Sequence, residues 1–229
     1  MPSTSIESAF SQVNELLVEQ ACADSSEAKS HALSRARKIL DDVIIDSPQN
    51  ADLHHALGIC WYHETEWSDE VGITIERCFR TALEAEPGHK FATLYLGHFC
   101  FDEKRYEEAL ALFSEVDESY FDGIGHHWRV LKNRELILCC RLWLKRSVRL
   151  SDIEDLCRAF EKADEAHVPV PREIVACLST LRNDSTEELN GIVKRVLEMI
   201  RRTGFVRAKS ISDGIKTLQE SIKNDQDGI

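Results

Sequence analysis

Residues 91–117 read FATLYLGHFCFDEKRYEEALALFSEVD. A helix turns about 100° per residue. Thr93, Leu96, Gly97 and Cys100 therefore fall on one stripe, and Ala109, Leu112, Phe113 and Val116 on another. The stretch predicts two helices joined by a tight turn. A glycine inside a helix costs about 1 kcal/mol relative to alanine. Gly97, in the middle of an apolar stripe, therefore predicts a place where another helix backbone passes too close for a side chain.

The same spacing recurs along the chain. Upstream, His54, Leu57, Gly58 and Trp61 repeat the first half of the pattern, and Ile75, Phe79, Ala82 and Pro87 repeat the second. Ala36, Leu40, Val43 and Pro48 repeat the second half once more. These residues resemble the tetratricopeptide repeat family, whose units run W-x2-L-G-x2-Y, then A-x3-F and a later proline, with a period of about 34 residues. Pro48 and Pro87 stand 39 residues apart, as do Leu57 and Leu96, which places an insertion around residues 64–72. Trp128 and Leu131 open a further unit, but Lys132 and Glu135 replace its glycine and aromatic. Leu156, Phe160 and Ala163 recover the second half, and beyond residue 170 the motif is absent.

The resemblance implies an all-α fold in which antiparallel hairpins stack as a right-handed superhelix, an α-solenoid. The hairpins are expected at about 4–46, 50–86, 88–117 and 126–166. Together they form a repeat region over 1–168, and helices in 169–229 pack on or cap the stack. One hairpin cannot bury its own stripe, so neighbouring units are required.

Composition agrees with a globular helical chain. Hydrophobic residues make up 43%, and only ten glycines and five prolines punctuate the sequence, too few for the turns of an all-β fold. No apolar run approaches the roughly 18 residues of a membrane span, and MPSTSIESAF lacks a secretory pattern. A cytoplasmic location is expected. The eight cysteines show no C-x2-C pair and mostly occupy apolar helical positions, where a free thiol packs as a small hydrophobe. The net charge of −12 is unevenly spread: residues 1–125 hold 24 acidic and 9 basic side chains, residues 126–229 hold 16 and 19. Basic clusters at 129–149 and 194–209 can steer a polar partner or align two copies head to tail. The plainer reading is that arginine stems cover helix flanks and leave their charge in water.

Along the chain, Thr4 and Glu7 make a capping box for a first helix ending near Cys22, with Ile6, Phe10, Val13 and Leu17 on its stripe. A second helix over 27–46 turns Leu33, Ala36, Leu40 and Val43 inward. Helices follow at roughly 50–63, 69–86, 88–103 and 105–117. Phe121-Asp122-Gly123-Ile124-Gly125 is a glycine-rich break, either a hinge or the turn into a long helix over 126–147. Ser151 caps another helix, and one more begins at Pro171, a favoured first position. Ser185 caps an amphipathic helix through Ile200, and a short terminal helix carries Ile211, Ile215, Leu218 and Ile222.

No chemical motif stands out. The sequence lacks a phosphate-binding loop, an H-E-x-x-H pair and a G-x-S-x-G elbow, so no catalytic residue, cofactor or metal ligand is assigned. His55, His98 and His126 would approach one another if first helices stack in parallel, which leaves a metal-dependent enzyme as a distant alternative. The family resemblance implies that the row lying away from the packing stripe lines a concave groove for a partner segment. That row comprises Asp52, His55, Ile59, Tyr62 and His63, then Phe91, Leu94, His98, Phe101 and Asp102, then His126, Arg129 and Asn133. Arg129 and Asn133 occupy places where some relatives hold a terminal carboxylate, but the other members of that clamp are missing. The expected function is thus a non-catalytic module binding a peptide or helix of another protein. An RNA or acidic partner on Arg129, Arg141, Lys145, Arg149, Arg201 and Arg202 is the alternative, and the overall acidity counts against it.

Overall fold

Short polar side chains start the first helices just ahead of each apolar periodicity. In the computed structural model, which describes residues 5–145, 148–149, 151–152, 155–156, 158–159, 172–181, 191 and 194, α1 spans Ile6–Cys22 and α2 spans Ser26–Asp46. Ser5 and Ser25 accept the backbone N–H of Ser8 and Ala28 at 3.2 and 3.1 Å. The α1 cap is thus Ser5, one residue beyond the expected Thr4. Asn50 and Ser68 do the same for α3 (Ala51–Tyr62) and α4 (Asp69–Ala85). Such caps contribute about 1 kcal/mol each. His89 caps α5 (Lys90–Asp102) with a ring nitrogen instead of an oxygen.

The chain divides into two compact units, Met1–Lys104 and Arg105–Ile229. The division lies between the two helices expected to pair over 88–117. In the first unit each helix packs on its successor, and α3 also meets α5. Ala9, Val13 and Leu16 of α1 join Leu33, Ala36, Leu40 and Val43 of α2 and Leu53 and Cys60 of α3 in one core. Ala51, Ala82 and Ala92 form a second contact where α3, α4 and α5 come close; three small side chains there permit the approach.

Gly58 is buried, and what excludes a side chain there is an aromatic ring. A methyl there would lie 2.6 Å from Cε1 and 2.8 Å from Cδ1 of Phe79 on α4, far inside the 3.5–4.0 Å of a carbon–carbon contact. The aromatic of the second helix therefore seats on the glycine of the first. Gly97 is buried as well.

The insertion between α3 and α4 is held in place. Glu64 pairs with Arg37 of α2 and accepts from the Ser30 hydroxyl at 3.1 Å. The Arg37 guanidinium lies 4.0 Å over the Trp61 ring. Trp67 packs against Tyr62 and Phe99 at 5.1 and 5.8 Å.

The second unit holds α6 (Tyr106–Ser114), α7 (Glu118–Gly123), α8 (His127–Trp143) and α9 (Arg172–Leu181). Helix α8 is its centre and packs on α6, α7 and α9. The glycine-rich break is largely α7: Asp117 caps it by accepting the Tyr120 N–H, and Phe121 is fully buried. Only Gly125, at φ 78°, takes the left-handed turn into α8. Arg134 makes two bonds to Glu118, at 2.9 and 2.6 Å. Tyr106 stacks on Trp143 with ring centroids 5.6 Å apart.

The fold is all-α, each helix packing on its neighbours, and the described residues include no strand. None of the described helices is long and apolar enough to cross a membrane. Of the helix expected over 185–200 only residues 191 and 194 are described, and the helix expected over 211–222 lies outside the described residues, as do Phe160, Ala163, Arg201 and Arg202.

Candidate functional site

In the first unit, α3 and α5 bring one line of rings together. The His55 ring lies 5.2 Å from His89, 5.8 Å from Phe91 and 5.7 Å from Tyr95. Tyr95 continues the line, edge-on to Tyr62 at 5.9 Å and 5.9 Å from His98. It also stacks on Phe79 at 6.0 Å, the same ring that seats on Gly58. These separations suit tilted and edge-to-face aromatic packing.

A carboxylate closes each end. Tyr62 donates its hydroxyl to Asp102 Oδ2 at 2.6 Å, a short bond of the charge-assisted kind. At the other end Asp52 Oδ1 lies 3.0 Å from His89 Nε2. The backbone N–H of Ala92 donates to Nδ1 of His89 at 3.0 Å, so that nitrogen carries no hydrogen. The hydrogen sits on Nε2, which donates to Asp52. Asp52 itself is 69% exposed, whereas the histidine beneath it is buried.

The expected row is therefore present in part and rotated on α5. Asp52, His55, Tyr62, Phe91, His98 and Asp102 come together, and the rings among them are half-buried. Ile59 and Leu94 do not line a wall: they are 8% and 1% exposed and belong to the core. The row was carried from α3 to α5 by a fixed spacing, but α5 is enclosed over more of its circumference. Ala92, Thr93, Leu94, Leu96, Phe99 and Cys100 are all buried along it. That enclosure moves the accessible line to 91, 95, 98 and 102. Phe101 is half-buried, and His63 is exposed at the α3 C-cap. Tyr95, His89 and Trp67 were missed. Tyr95 had a signal, since it stands four residues after Phe91 and three before His98, the spacing at which helical side chains meet.

The α8 members of the row sit in the second unit. His126 precedes α8 and accepts from Arg129 Nε at 3.3 Å. The Arg129 guanidinium lies 4.3 Å over the Trp128 ring. Asn133 is 1% exposed and donates its amide to the Phe113 carbonyl at 3.1 Å. It fastens α8 to α6 and presents nothing to a groove, which removes it from any carboxylate clamp. Arg141 and Arg149 both pair with Asp152, at 3.5 and 2.9 Å.

Chemistry elsewhere is subdued. Burial pushes the Cys60 thiol up to about 12 and the Cys78 thiol up to about 11, which withholds the thiolate a nucleophile needs. Among the described residues no group of three His, Cys, Asp or Glu side chains is placed to hold a metal ion. A cleft of about 710 Å³ in the second unit is lined by Arg134, Arg141 and Arg158 together with Asp152 and Asp155 over an apolar floor. Its charges are paired, Arg158 with Asp155 and Arg141 with Asp152. Compared with known proteins, the chain matches no family model and no curated sequence.

Proposed function

We propose that the chain is a non-catalytic protein-binding module of tetratricopeptide-like hairpins, which holds a segment of another protein along the α3–α5 ridge. The supporting observation is the convergence of His55, Tyr62, Tyr95 and His98 from two helices onto one line with a carboxylate at each end. Rings offer large contact area at low entropic cost, and flanking acceptors fix the orientation of a bound segment. The repeat reading is supported by α3 and α4 pairing through Gly58 and Phe79, and by α3 meeting α5. On this reading the hairpins are units of a right-handed α-solenoid and the module works in a reducing compartment such as the cytoplasm, where its free buried cysteines stay thiols. The alternative of an RNA or acidic partner on the basic residues has less support, because Arg141 and Arg149 share one aspartate.

The test is a paired comparison of binding and melting. Replacing His98 and Phe101 with alanine should weaken capture of the physiological partner at least tenfold while the fold persists. Leu94→Ala should destabilise by about 2–5 kcal/mol, as large-to-small core changes do. If the His98/Phe101 variant melts as early as Leu94→Ala, or binds as well as the parent, the ridge is not the binding surface.

A further inference from the structure

The two residues that break the repeat pattern on α8, Lys132 and Glu135, build a buried charge cluster with α9. Glu135 is 0% exposed. Its Oε1 accepts the Ile174 backbone N–H at 3.1 Å, in the first turn of α9, and its Oε2 lies 3.1 Å from Lys132 Nζ. The same ammonium pairs with Glu173 of α9. One cation therefore serves two carboxylates, and of these Glu135 is the dry one, since the Glu173 side chain keeps 34% exposure. Ile174 and Cys177 are buried on the α9 face that meets α8.

We propose that α9 seats on α8 by a proton-counting lock, in which the Lys132–Glu135–Glu173 cluster takes up one proton when α9 docks and releases it when α9 lifts. Buried ions are costly unless paired, and among the described residues two carboxylates share one ammonium, which leaves one negative charge over. A proton on Glu135 Oε2 removes that charge, leaves Lys132 to Glu173, and keeps Oε1 for the Ile174 N–H. When α9 lifts, water reaches Glu135 and the carboxylate ionises as an ordinary glutamate does.

The surroundings support this. Burial pushes the seated Glu135 carboxyl up from 4.5 to about 7; the Lys132 charge lowers it, Glu173 raises it, and the Ile174 N–H lowers it. Burial works against the Lys132 ammonium, but Glu135 and Glu173 together raise its pKa, so it stays charged across this range. Among the described side chains of α8 and α9 the remaining titratable neighbours are Cys139, Cys140 and Cys177, with the Cys177 thiol donating to the Cys139 carbonyl at 3.9 Å; burial drives the Cys139 and Cys140 thiols well up, so they stay neutral. On the α6 and α7 sides α8 meets Tyr106, Glu118 and Asp122, and the two carboxylates are held by Arg134 and His127.

Because the seated state binds the proton more tightly than the lifted state, seating is strongest below about pH 4.5 and weakens as pH rises toward 7. The decline approaches tenfold per pH unit, about 300-fold over the whole interval. Above about 7 it levels off at its weakest.

Hydrogen exchange on the full chain tests this. After correction for intrinsic rates, protection of the 174–181 amides, taken relative to 53–60 of α3, should fall steadily between pH 5 and 7. In Glu135→Gln, which keeps the volume and the acceptor for Ile174, the ratio should be flat. Glu173→Gln, which leaves one carboxylate for one cation, should shrink the slope and move it to lower pH. A ratio that stays constant in the parent, or a slope undiminished in either variant, overturns the proposal; should Glu135→Gln fail to fold, Glu173→Gln decides alone.

Discussion

Gly58→Ala and Gly72→Ala place the same methyl group in two helices of one hairpin, and the structure assigns them opposite signs. In both, leaving glycine gains up to about 1 kcal/mol of helix propensity. At Gly72 the new Cβ would meet the Phe99 Cζ at 3.8 Å, an ordinary contact, so the gain survives. At Gly58 it would stand 2.6, 2.8 and 3.1 Å from three atoms of the Phe79 ring. That ring would have to retreat by about 1 Å to reach normal separation. It is fully buried, with His55 and Tyr95 packed against it at 6.1 and 6.0 Å, so retreat disturbs the ridge as well. Overpacking of this kind costs about 1–3 kcal/mol. Gly58→Ala should therefore lose about 1 kcal/mol net and Gly72→Ala gain several tenths or more. Their melting temperatures, followed by circular dichroism, should differ by roughly 4–8 °C at this chain length. Shrinking the ring with Phe79→Leu should relieve part of the Gly58→Ala penalty, giving a favourable coupling in a double-mutant cycle. If Gly58→Ala stabilises as much as Gly72→Ala, the seat of Phe79 on Gly58 is refuted, and the hairpin geometry with it.

Further changes read other contacts. Arg37→Ala strands the Glu64 carboxylate, 12% exposed, and should cost about 3 kcal/mol in urea unfolding, as removal of one partner of a buried pair does; a loss under about 0.5 kcal/mol would contradict the contact. His89→Ala removes the α5 cap and the Asp52 contact and should cost about 1 kcal/mol, while His89→Asn, which can cap through its amide oxygen, should recover most of it. Asn133→Ala removes one of the donors to the Phe113 carbonyl, which keeps the Val116 N–H at 3.3 Å, and should cost about 1 kcal/mol without altering partner affinity; loss of affinity with intact stability would return Asn133 to a binding role.

The elements were legible because their signals are local. Ser25, Asn50 and Ser68 each precede an apolar periodicity, and Leu33, Ala36, Leu40 and Val43 face inward as their spacing requires. What escaped depends on how far around a helix its neighbours reach. Equivalent positions His55 and Leu94 differ in burial because α5 is enclosed on more sides than α3, and no periodicity within α5 reports that. Tyr95, beside the Leu96-Gly97 pair, lies outside the repeat spacing, so the motif does not mark it. The glycines of 121–125 predict either a hinge or the turn into the next helix; Phe121 needs burial, a short helix supplies it, and Gly125 makes the turn. Lys132 and Glu135 looked like decay of the motif, and burial turned the same two residues into the anchor of α9. Charge in a helix interior carries no visible partner in sequence when that partner lies about forty residues on.

Site-specific photocross-linking addresses the ridge itself. A benzophenone side chain placed at His98 should give a discrete adduct with one partner protein in cells that naturally make the chain. The same group at Ile45 or Ile73, exposed on α2 and α4, should give none. No adduct at position 98, or equal adducts at all three positions, would contradict a binding role for the α3–α5 ridge.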